Sequence, residues 1–146
     1  MSREMKLSTK TRYGTRAILD LAEHYGEGPI FVKDIARRQG ISKKYLDHII
    51  AALKTAGLVK SFRGAHGGYV LAKDPSSIKL SEVIQALEGP LAPVDCVDDP
   101  SICPRSPYCI AIEVWASIKG AIFNVLDSLT LQDLVEKQKK AIGYGI

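Results

Sequence analysis

The most chemically distinctive residues of this 146-residue chain are three cysteines, spaced Cys96-x6-Cys103-x5-Cys109. Thiolates hold zinc ions and iron–sulfur clusters, and they are also the groups that redox switches oxidise. Zinc sites usually bring cysteines in close C-x2-C pairs, and this sequence has no such pair. Longer spacings suit a loop around a larger object, such as an iron–sulfur cluster. The spacing alone leaves free or redox-active thiols as an equal alternative.

A cluster held by three thiolates needs a fourth ligand from another residue, from solvent or from a partner chain. The sequence does not choose among the conceivable side chains, which are Asp95, Asp98, Asp99, Glu113, His24, His48 and His66. Structural disulfides are not expected, because the cysteines are odd in number and cytosolic proteins do not normally keep such bonds.

A second group of residues could read DNA. Ser42 is a good N-cap for a helix that begins at Lys43. The first exposed positions of that helix are Lys43, Lys44, Tyr45, Asp47 and His48. Lysine can donate to guanine, aspartate can accept from cytosine, and a helix N-terminus favours a phosphate. Asp47 has two equally weighted interpretations, as a base discriminator or as an intrahelical partner of Lys43.

The elements that must position these residues form a helix-turn-helix pattern. A first amphipathic helix is predicted from about Thr9 to Tyr25. A short helix with Val32 and Ile35 on its inner face follows, and Gly40 permits the sharp turn into the helix of Lys43. Gly57 ends that helix.

A β-hairpin, or wing, is predicted directly after this helix pair, with strands at residues 58–62 and 69–71. Arg63 lies in the connecting turn, where it can enter a narrow minor groove, although a solvated turn arginine is the simpler alternative. The glycines of the turn, Gly67 among them, would let the backbone approach a DNA groove closely.

The second half of the chain predicts a sensor loop and dimerisation helices. A helix from Ser81 to Leu87 with an N-cap serine leads into a proline-rich loop over residues 89–107. A long apolar helix from about Tyr108 to Ser128 has more apolar surface than the first half can cover, so we expect it to pair with a second chain. Thr130 and Asp133 cap a last helix, Leu131 to Ala141.

Charge divides the chain in the same way. Residues 1–80 carry 15 Lys and Arg against 7 Asp and Glu, and residues 81–146 carry 5 against 9, so net charges of +8 and −4 make up the total of +4. We therefore predict a winged helix-turn-helix DNA-binding region at 1–80 and a cysteine loop with dimerisation helices at 81–146. No membrane span or signal peptide is recognisable, so we expect a cytoplasmic protein. Because the first half of the chain points to DNA binding, we also expect that the protein is not an enzyme.

Three segments together resemble the Rrf family of winged-helix transcription regulators, and in particular its iron–sulfur-sensing branch. They are MKLSTKTRYGTRAILDLA, then IARRQGISKKYLDHIIAALKTAGLVKSFRGAHGGYVLAKDPSSIKLSEVIQALEG, then the three loop cysteines. The resemblance implies a homodimer on a palindromic double-stranded DNA site and a [2Fe-2S] cluster on Cys96, Cys103 and Cys109 that changes which promoters are bound. Repressor is the expected type of regulator, and activation or repression at each site stays open. It also implies that Ser42, Lys44, Tyr45, Asp47 and Arg63 face DNA.

Departures from that branch leave alternatives open. Where its enterobacterial members carry a ligating histidine, this chain has Ile112, and its first cysteine gap is one residue longer. Nitric-oxide sensors of the same family also have three cysteines, but Arg12 stands where they use an aspartate ligand. Cysteine-metabolism regulators of the family lack the cysteine loop. An enzyme with a Cys–His pair is the alternative from another class, and no such pair lies close in sequence.

Overall fold

The computed structural model describes residues 6–64, 68–91 and 95–144, with the backbone alone at residues 95, 96, 143 and 144. The first half contains three helices and a two-stranded hairpin: α1 Thr9–Glu23, α2 Val32–Gln39, α3 Lys43–Thr55, β1 Val59–Phe62 and β2 Gly68–Leu71. The second half adds α4 Leu80–Glu88, α5 Asp95–Asp98, α6 Ala111–Asp127 and α7 Leu131–Tyr144. The predicted fold class, mainly α with a small β-hairpin wing, is confirmed.

The helix-turn-helix pair forms as predicted. Ser42 caps α3 by accepting a hydrogen bond from the Tyr45 amide at 3.2 Å. Gly40 ends α2 in the left-handed region, at φ 64° and ψ 36°, which a glycine adopts without steric cost. Leu46, Ile49, Ile50 and Leu53 of α3 are all buried, so one face of this helix belongs to the core.

The wing is an antiparallel hairpin in which Val59 pairs with Leu71 and Phe62 pairs with Gly68. Tyr69 also exchanges two backbone hydrogen bonds with Ile30, at 2.8 and 2.9 Å, which tie the wing to the segment before α2. A Cβ on Gly68 would lie 2.6 Å from the Ile30 carbonyl oxygen, so this close approach requires glycine.

The hydrophobic core joins both halves of the chain. It includes Ile18 and Leu21 of α1, Val83 and Leu87 of α4, and Leu131 of α7, together with the inner face of α3. The capping of α7 is as predicted, because Thr130 Oγ1 accepts from the Asp133 amide at 3.1 Å and Asp133 accepts from the Thr130 amide at 3.0 Å.

The start of α4 differs from the prediction, because Ser81 is a buried residue inside the helix and not its N-cap. Leu80 donates its amide to the Leu129 carbonyl at 2.9 Å, and Leu131 donates to Ile78 at 3.0 Å. These contacts with the segment that precedes α7 hold the chain extended up to Lys79. The Lys79 amide is then capped by the Glu82 carboxylate at 2.8 Å.

The segment predicted as an irregular loop contains helical structure. Besides α5 it has 3-10 turns at Pro100–Ile102 and Ser106–Tyr108. The second turn uses the residues expected to open the long helix, so α6 begins at Ala111 instead of Tyr108. None of the 17 residues of α6 is buried, although most of its side chains are apolar. Among the described residues, no helix is long and apolar enough to cross a membrane.

Candidate nucleic-acid interface and cysteine loop

The N-terminal end of α3 presents the predicted DNA-reading residues to solvent. Ser42, Lys43, Lys44 and Asp47 are exposed, and Tyr45 is half-buried. The Lys43 ammonium lies 3.3 Å from the Asp47 carboxylate, with both side chains more than half exposed. The intrahelical pair is therefore formed in the free chain. An exposed pair of this kind is worth only about 0.5 kcal/mol, so DNA can replace it.

Two tyrosines and an arginine connect α1 to the start of α3. The rings of Tyr13 and Tyr45 meet edge to face, with centroids 6.1 Å apart and planes at 82°. The Arg16 guanidinium lies 5.4 Å from the Tyr13 ring centroid. Its Nε donates to the Gln39 side-chain oxygen at 3.3 Å, and its Nη2 donates to the Gln39 carbonyl. Arg16 therefore caps the C-terminus of α2, where a cation is favourable.

A buried carboxylate supports this corner from inside. Asp20 is 1% exposed. Its carboxylate accepts hydrogen bonds from the Arg38 guanidinium at 2.6 and 2.9 Å and from the side-chain nitrogen Nε2 of Gln39 at 3.0 Å. The hydrogen bond to Asp20 raises the pKa of Arg38 above its ordinary value. Burial, followed by the charge of Asp20, raises the pKa of Glu23 one turn further along α1.

The wing places Arg63 on the surface, directly after β1, with its side chain exposed. The predicted DNA-contacting Gly67 lies outside the described residues, as does His66. The exposure of Arg63 is compatible with either a groove contact or a solvated turn residue. Its DNA contact stays a prediction.

Two of the three predicted sulfur ligands have described side chains. Cys103 and Cys109 are free thiols of intermediate exposure. Cys96 belongs to α5, and its side chain lies outside the described part. Cys103 and Cys109 flank one 3-10 turn, in which the Ser106 amide donates to the Cys103 carbonyl at 3.1 Å and the Cys109 amide donates to the Ser106 carbonyl at 3.4 Å.

Ser106 is unusual within this turn. It is 7% exposed, and its buried hydroxyl oxygen has no hydrogen-bond partner among the described residues. A buried polar group without a partner costs about 1–3 kcal/mol, so such groups often mark a place where an unseen water or ion completes the bonding. Two thiols with a buried hydroxyl between them in the chain are donor types that an iron–sulfur group can use, since its sulfur atoms accept hydrogen bonds. Among the described side chains, no group of three His, Cys, Asp or Glu residues is placed to hold a metal ion, and the Cys96 side chain is not one of those described.

Most of the conceivable fourth ligands with described side chains already have other contacts. Asp98 contacts the Lys119 ammonium, and Asp99 accepts from the Ser101 amide at 3.1 Å. The His24 ring nitrogen lies 2.8 Å from the Asp20 carbonyl oxygen. His48 is exposed on α3. Glu113 is exposed in the first turn of α6, four residues after the last cysteine. The side chains of Asp95 and His66 lie outside the described residues.

The base of the cysteine loop is attached to α1. Glu88, the last residue of α4, accepts from the Ser8 amide at 3.1 Å, from the Ser8 hydroxyl at 2.8 Å and from the buried Thr11 hydroxyl. A Cβ on Gly14 would lie 2.5 Å from the Leu87 side chain, so the helices pack closely here. The loop therefore begins at a fixed point on the helix that also carries Tyr13.

Sequence reasoning missed four residues of these sites: Arg16, Asp20, Gln39 and Ser106. The signal for Asp20 was its position among Ala17, Ile18 and Leu21 on the inward face of α1, where an acid needs a partner. Nothing in the sequence pairs it with Arg38, which is 18 residues away.

A family model described as "Rrf2: Iron-dependent Transcriptional regulator" matches residues 7–137, nearly the whole chain. The chain belongs to the Rrf2 family. This Rrf2-family regulator is 46% identical over 131 residues to protein rrf2 of Nitratidesulfovibrio vulgaris. The aligned residues make up 90% of this chain and 87% of the relative. It is 45% identical over 130 residues to CymR of Bacillus subtilis, with 89% of each chain covered.

Relatives named IscR are also similar. IscR of Photorhabdus laumondii is 38% identical over 135 residues, with 92% of this chain and 82% of the relative covered. The solved structure of T. potens IscR superposes with a TM-score of 0.78 at 45% identity, over 93% of this chain and 90% of that one. The oxidized form of Staphylococcus aureus CymR superposes with a TM-score of 0.70 at 36% identity, over 90% and 97%. The predicted resemblance to a winged-helix regulator of this family, close to IscR, is confirmed.

Proposed function

We propose that this Rrf2-family regulator binds double-stranded promoter DNA and changes its binding with the iron–sulfur state of its cysteine loop. The observation that carries the proposal is the Cys103–Ser106–Cys109 turn, in which two free thiols flank a buried hydroxyl without a partner. The likeness to T. potens IscR supports the choice of regulator type. We extend the proposal to control of genes for iron–sulfur cluster biogenesis, which the resemblance of the sequence to the iron–sulfur-sensing branch implies.

The DNA-reading surface consists of the N-terminus of α3 and the wing. Lys43, Lys44 and Tyr45 would enter the major groove, with Ser42 and the helix N-terminus at a phosphate. Asp47 gives up its pair with Lys43 and reads a base that offers a donor. Arg63 would enter the neighbouring minor groove. The DNA contact predicted for Gly67, which lies outside the described residues, stays a prediction.

The protein acts as a homodimer that pairs through α6. A helix with apolar side chains and no buried residue needs a partner, and Val114 and Val125 are 52% and 59% exposed. Two copies related by a two-fold axis would present two recognition helices, which is the arrangement that a palindromic site requires. V125E should shift the mass in sedimentation experiments toward the monomer, while I142E, at an equally exposed site in α7, should not.

Cys96, Cys103 and Cys109 would hold a [2Fe-2S] cluster, which when bound supplies a redox-active group and a local negative charge. The fourth position is open to Glu113, to Asp95, His48 or His66, to solvent or to a partner-chain group, since Ile112 cannot ligate. Among this chain's own residues, Ser106 would donate a hydrogen bond from its hydroxyl group to a sulfur atom. The base of the loop is fixed to α1 through Glu88, so a change of loop structure reaches the helix that supports α3.

Anaerobic purification tests the cluster directly. The wild type should be coloured and contain iron and acid-labile sulfide, and C103S and C109S should lose both while remaining helical by circular dichroism. Colourless protein with zinc alone would contradict the cluster. E113Q separates the candidates for the fourth position, because only a Glu113 ligand would change the absorption spectrum on that substitution.

A second candidate function is a thiol switch without iron. It is favoured by the half-exposed, free Cys103 and Cys109 and by the likeness to a CymR solved in an oxidized form. In that case iron-free protein should change its DNA affinity after mild oxidation, and mass spectrometry should find an intramolecular bond between two of the cysteines. Unchanged affinity after oxidation of iron-free protein would exclude this candidate.

Two substitutions test the DNA-reading surface. R63A should weaken binding to a promoter fragment at physiological salt, because the wing loses its groove contact. D47A should relax base preference in a binding-site selection more than it lowers affinity. A selected site that is identical for the wild type and D47A would leave Asp47 with its intrahelical role alone.

A further inference from the structure

The corner between α1, α2 and α3 contains a cation that the proposed function does not yet use. Arg16 is exposed, and its described hydrogen bonds go to neutral acceptors, the side-chain and main-chain oxygens of Gln39. Guanidinium has five N–H donors, and these two bonds use two of them. Three donors therefore make no hydrogen bond to the described residues, and the side chain is exposed to solvent.

The charge of Arg16 is also not paired with an acid among the described residues. The two arginines of α2 have acidic partners, because Arg38 pairs with Asp20 and Arg37 lies 3.6 Å from Asp34. Lys43 pairs with Asp47 on α3. Within the described part of the chain, no ion pair is formed by Arg16. An unpaired cation beside a proposed DNA-reading helix is suited to an anion.

The position of Arg16 matches the edge of the DNA groove. In helix-turn-helix docking the second helix enters the major groove while the first crosses the phosphate backbone. Arg16 is attached to Gln39, the last residue of α2, and reaches the start of α3 through the Tyr13–Tyr45 ring contact. It therefore lies where the backbone-crossing helix and the groove-entering helix meet.

The side chain is held in place before any ligand arrives. An arginine side chain loses rotamer entropy when it binds a ligand, and part of this entropy is already lost when Gln39 and the Tyr13 ring fix the guanidinium. Gln39 is itself fixed by the buried Asp20, whose carboxylate accepts from its amide at 3.0 Å. This chain of contacts makes Arg16 a preorganised group and distinguishes it from a freely moving surface cation.

We propose that Arg16 binds a phosphate of the DNA backbone next to the major groove, while Gln39 and Asp20 act as positioning residues for it. The proposal rests on the proposed DNA binding. It assigns a DNA contact to α1, outside the recognition helix and the wing. The contact is independent of base sequence, because it reads the backbone and not a base edge.

The test is the salt dependence of binding to a labelled duplex of mixed sequence, measured by fluorescence anisotropy. Each neutralised phosphate contributes about 0.9 to the slope of log K against log salt. R16A should therefore reduce the slope by about one and weaken binding several-fold at low salt, and R16K should keep the slope. Q39A retains the charge, so its slope should equal that of the wild type even where its affinity is lower.

K137A, which removes an exposed cation from α7, is the matched control and should change neither slope nor affinity. R16A with an unchanged slope would overturn the inference, including the case in which its affinity falls, because Arg16 would then only cap α2. A wild type that binds no duplex at low salt would overturn the proposed function as well. Circular dichroism of each variant shows whether its helices are intact.

Discussion

The buried carboxylate of Asp20 offers the sharpest test of what holds the helix-turn-helix together. D20A removes the acceptor of two Arg38 bonds and one Gln39 bond from a site that is 1% exposed. Breaking a buried charge pair by removing one partner typically costs 3–5 kcal/mol. The Arg38 side chain is 31% exposed and can regain water, so the lower end applies and we expect a loss of about 3 kcal/mol.

Urea unfolding followed by circular dichroism, at one fixed protein concentration, measures this loss. A loss of about 3 kcal/mol corresponds to a lowering of Tm by about 10 °C for a chain of this size. D20N separates charge from packing, because asparagine has nearly the same volume but turns an NH2 group toward donors. D20N should therefore lose almost as much stability as D20A.

D34A is the matched control, because it removes an aspartate whose partner, Arg37, is 74% exposed and 3.6 Å away. A surface pair of this kind is worth under about 1 kcal/mol. If D20A lost no more stability than D34A, the buried network would not be what fixes α2 against α1. If D20N kept the wild-type stability, packing and not charge would be responsible.

Three further predictions concern other parts of the chain. Burial and the charge of Asp20 raise the pKa of Glu23, so the folded chain binds more protons than the unfolded chain between the two pKa values, and the free energy of unfolding falls as pH rises through that window. E23Q should remove the contribution of Glu23 to this slope in urea titrations made at pH values above the ordinary pKa of a glutamate, and parallel profiles for the two proteins would refute it. S106A deletes a buried hydroxyl without a partner, so metal-free protein should gain up to about 1 kcal/mol; a clear loss would reveal a partner for the hydroxyl. G14A places a Cβ 2.5 Å from Leu87, so overpacking should outweigh the better helix propensity of alanine by about 1 kcal/mol, and a stabilised variant would contradict the close contact.

The first half of the chain was predictable because its local signals agree with its tertiary contacts. Ser42 is a good N-cap by residue type and does cap α3, and Gly40 has the positive φ that the turn needs. The capping of α7 by Thr130 and Asp133 could likewise be read from residue types and spacing alone. In each case the deciding interaction spans no more than three residues.

Prediction from the sequence failed where a contact with a distant segment determines a helix boundary or the partner of a buried side chain. Ser81 has the right type for an N-cap, but the hydrogen bond from Leu80 to Leu129 starts α4 earlier. The Asp20 network links residues 18 and 19 positions apart, and no local pattern announces it. The cysteine segment does carry a local signal for helical structure. Asp99 followed by Pro100 and Ser101 is typical of a capped helical turn, and Asp99 caps the 3-10 turn Pro100–Ile102.

The helices α3 and α6 show what the spacing of apolar residues can and cannot predict. Both were predicted from apolar residues at intervals of three and four. In α3 the chain itself covers that face and buries four of 13 residues, whereas in α6 none of the 17 residues is buried. A periodic pattern therefore states that a face will be covered but not which molecule covers it. The proposed pairing of two chains rests on the exposed apolar surface of α6, and the proposed bound group rests on the buried Ser106 hydroxyl, which has no partner among the described residues.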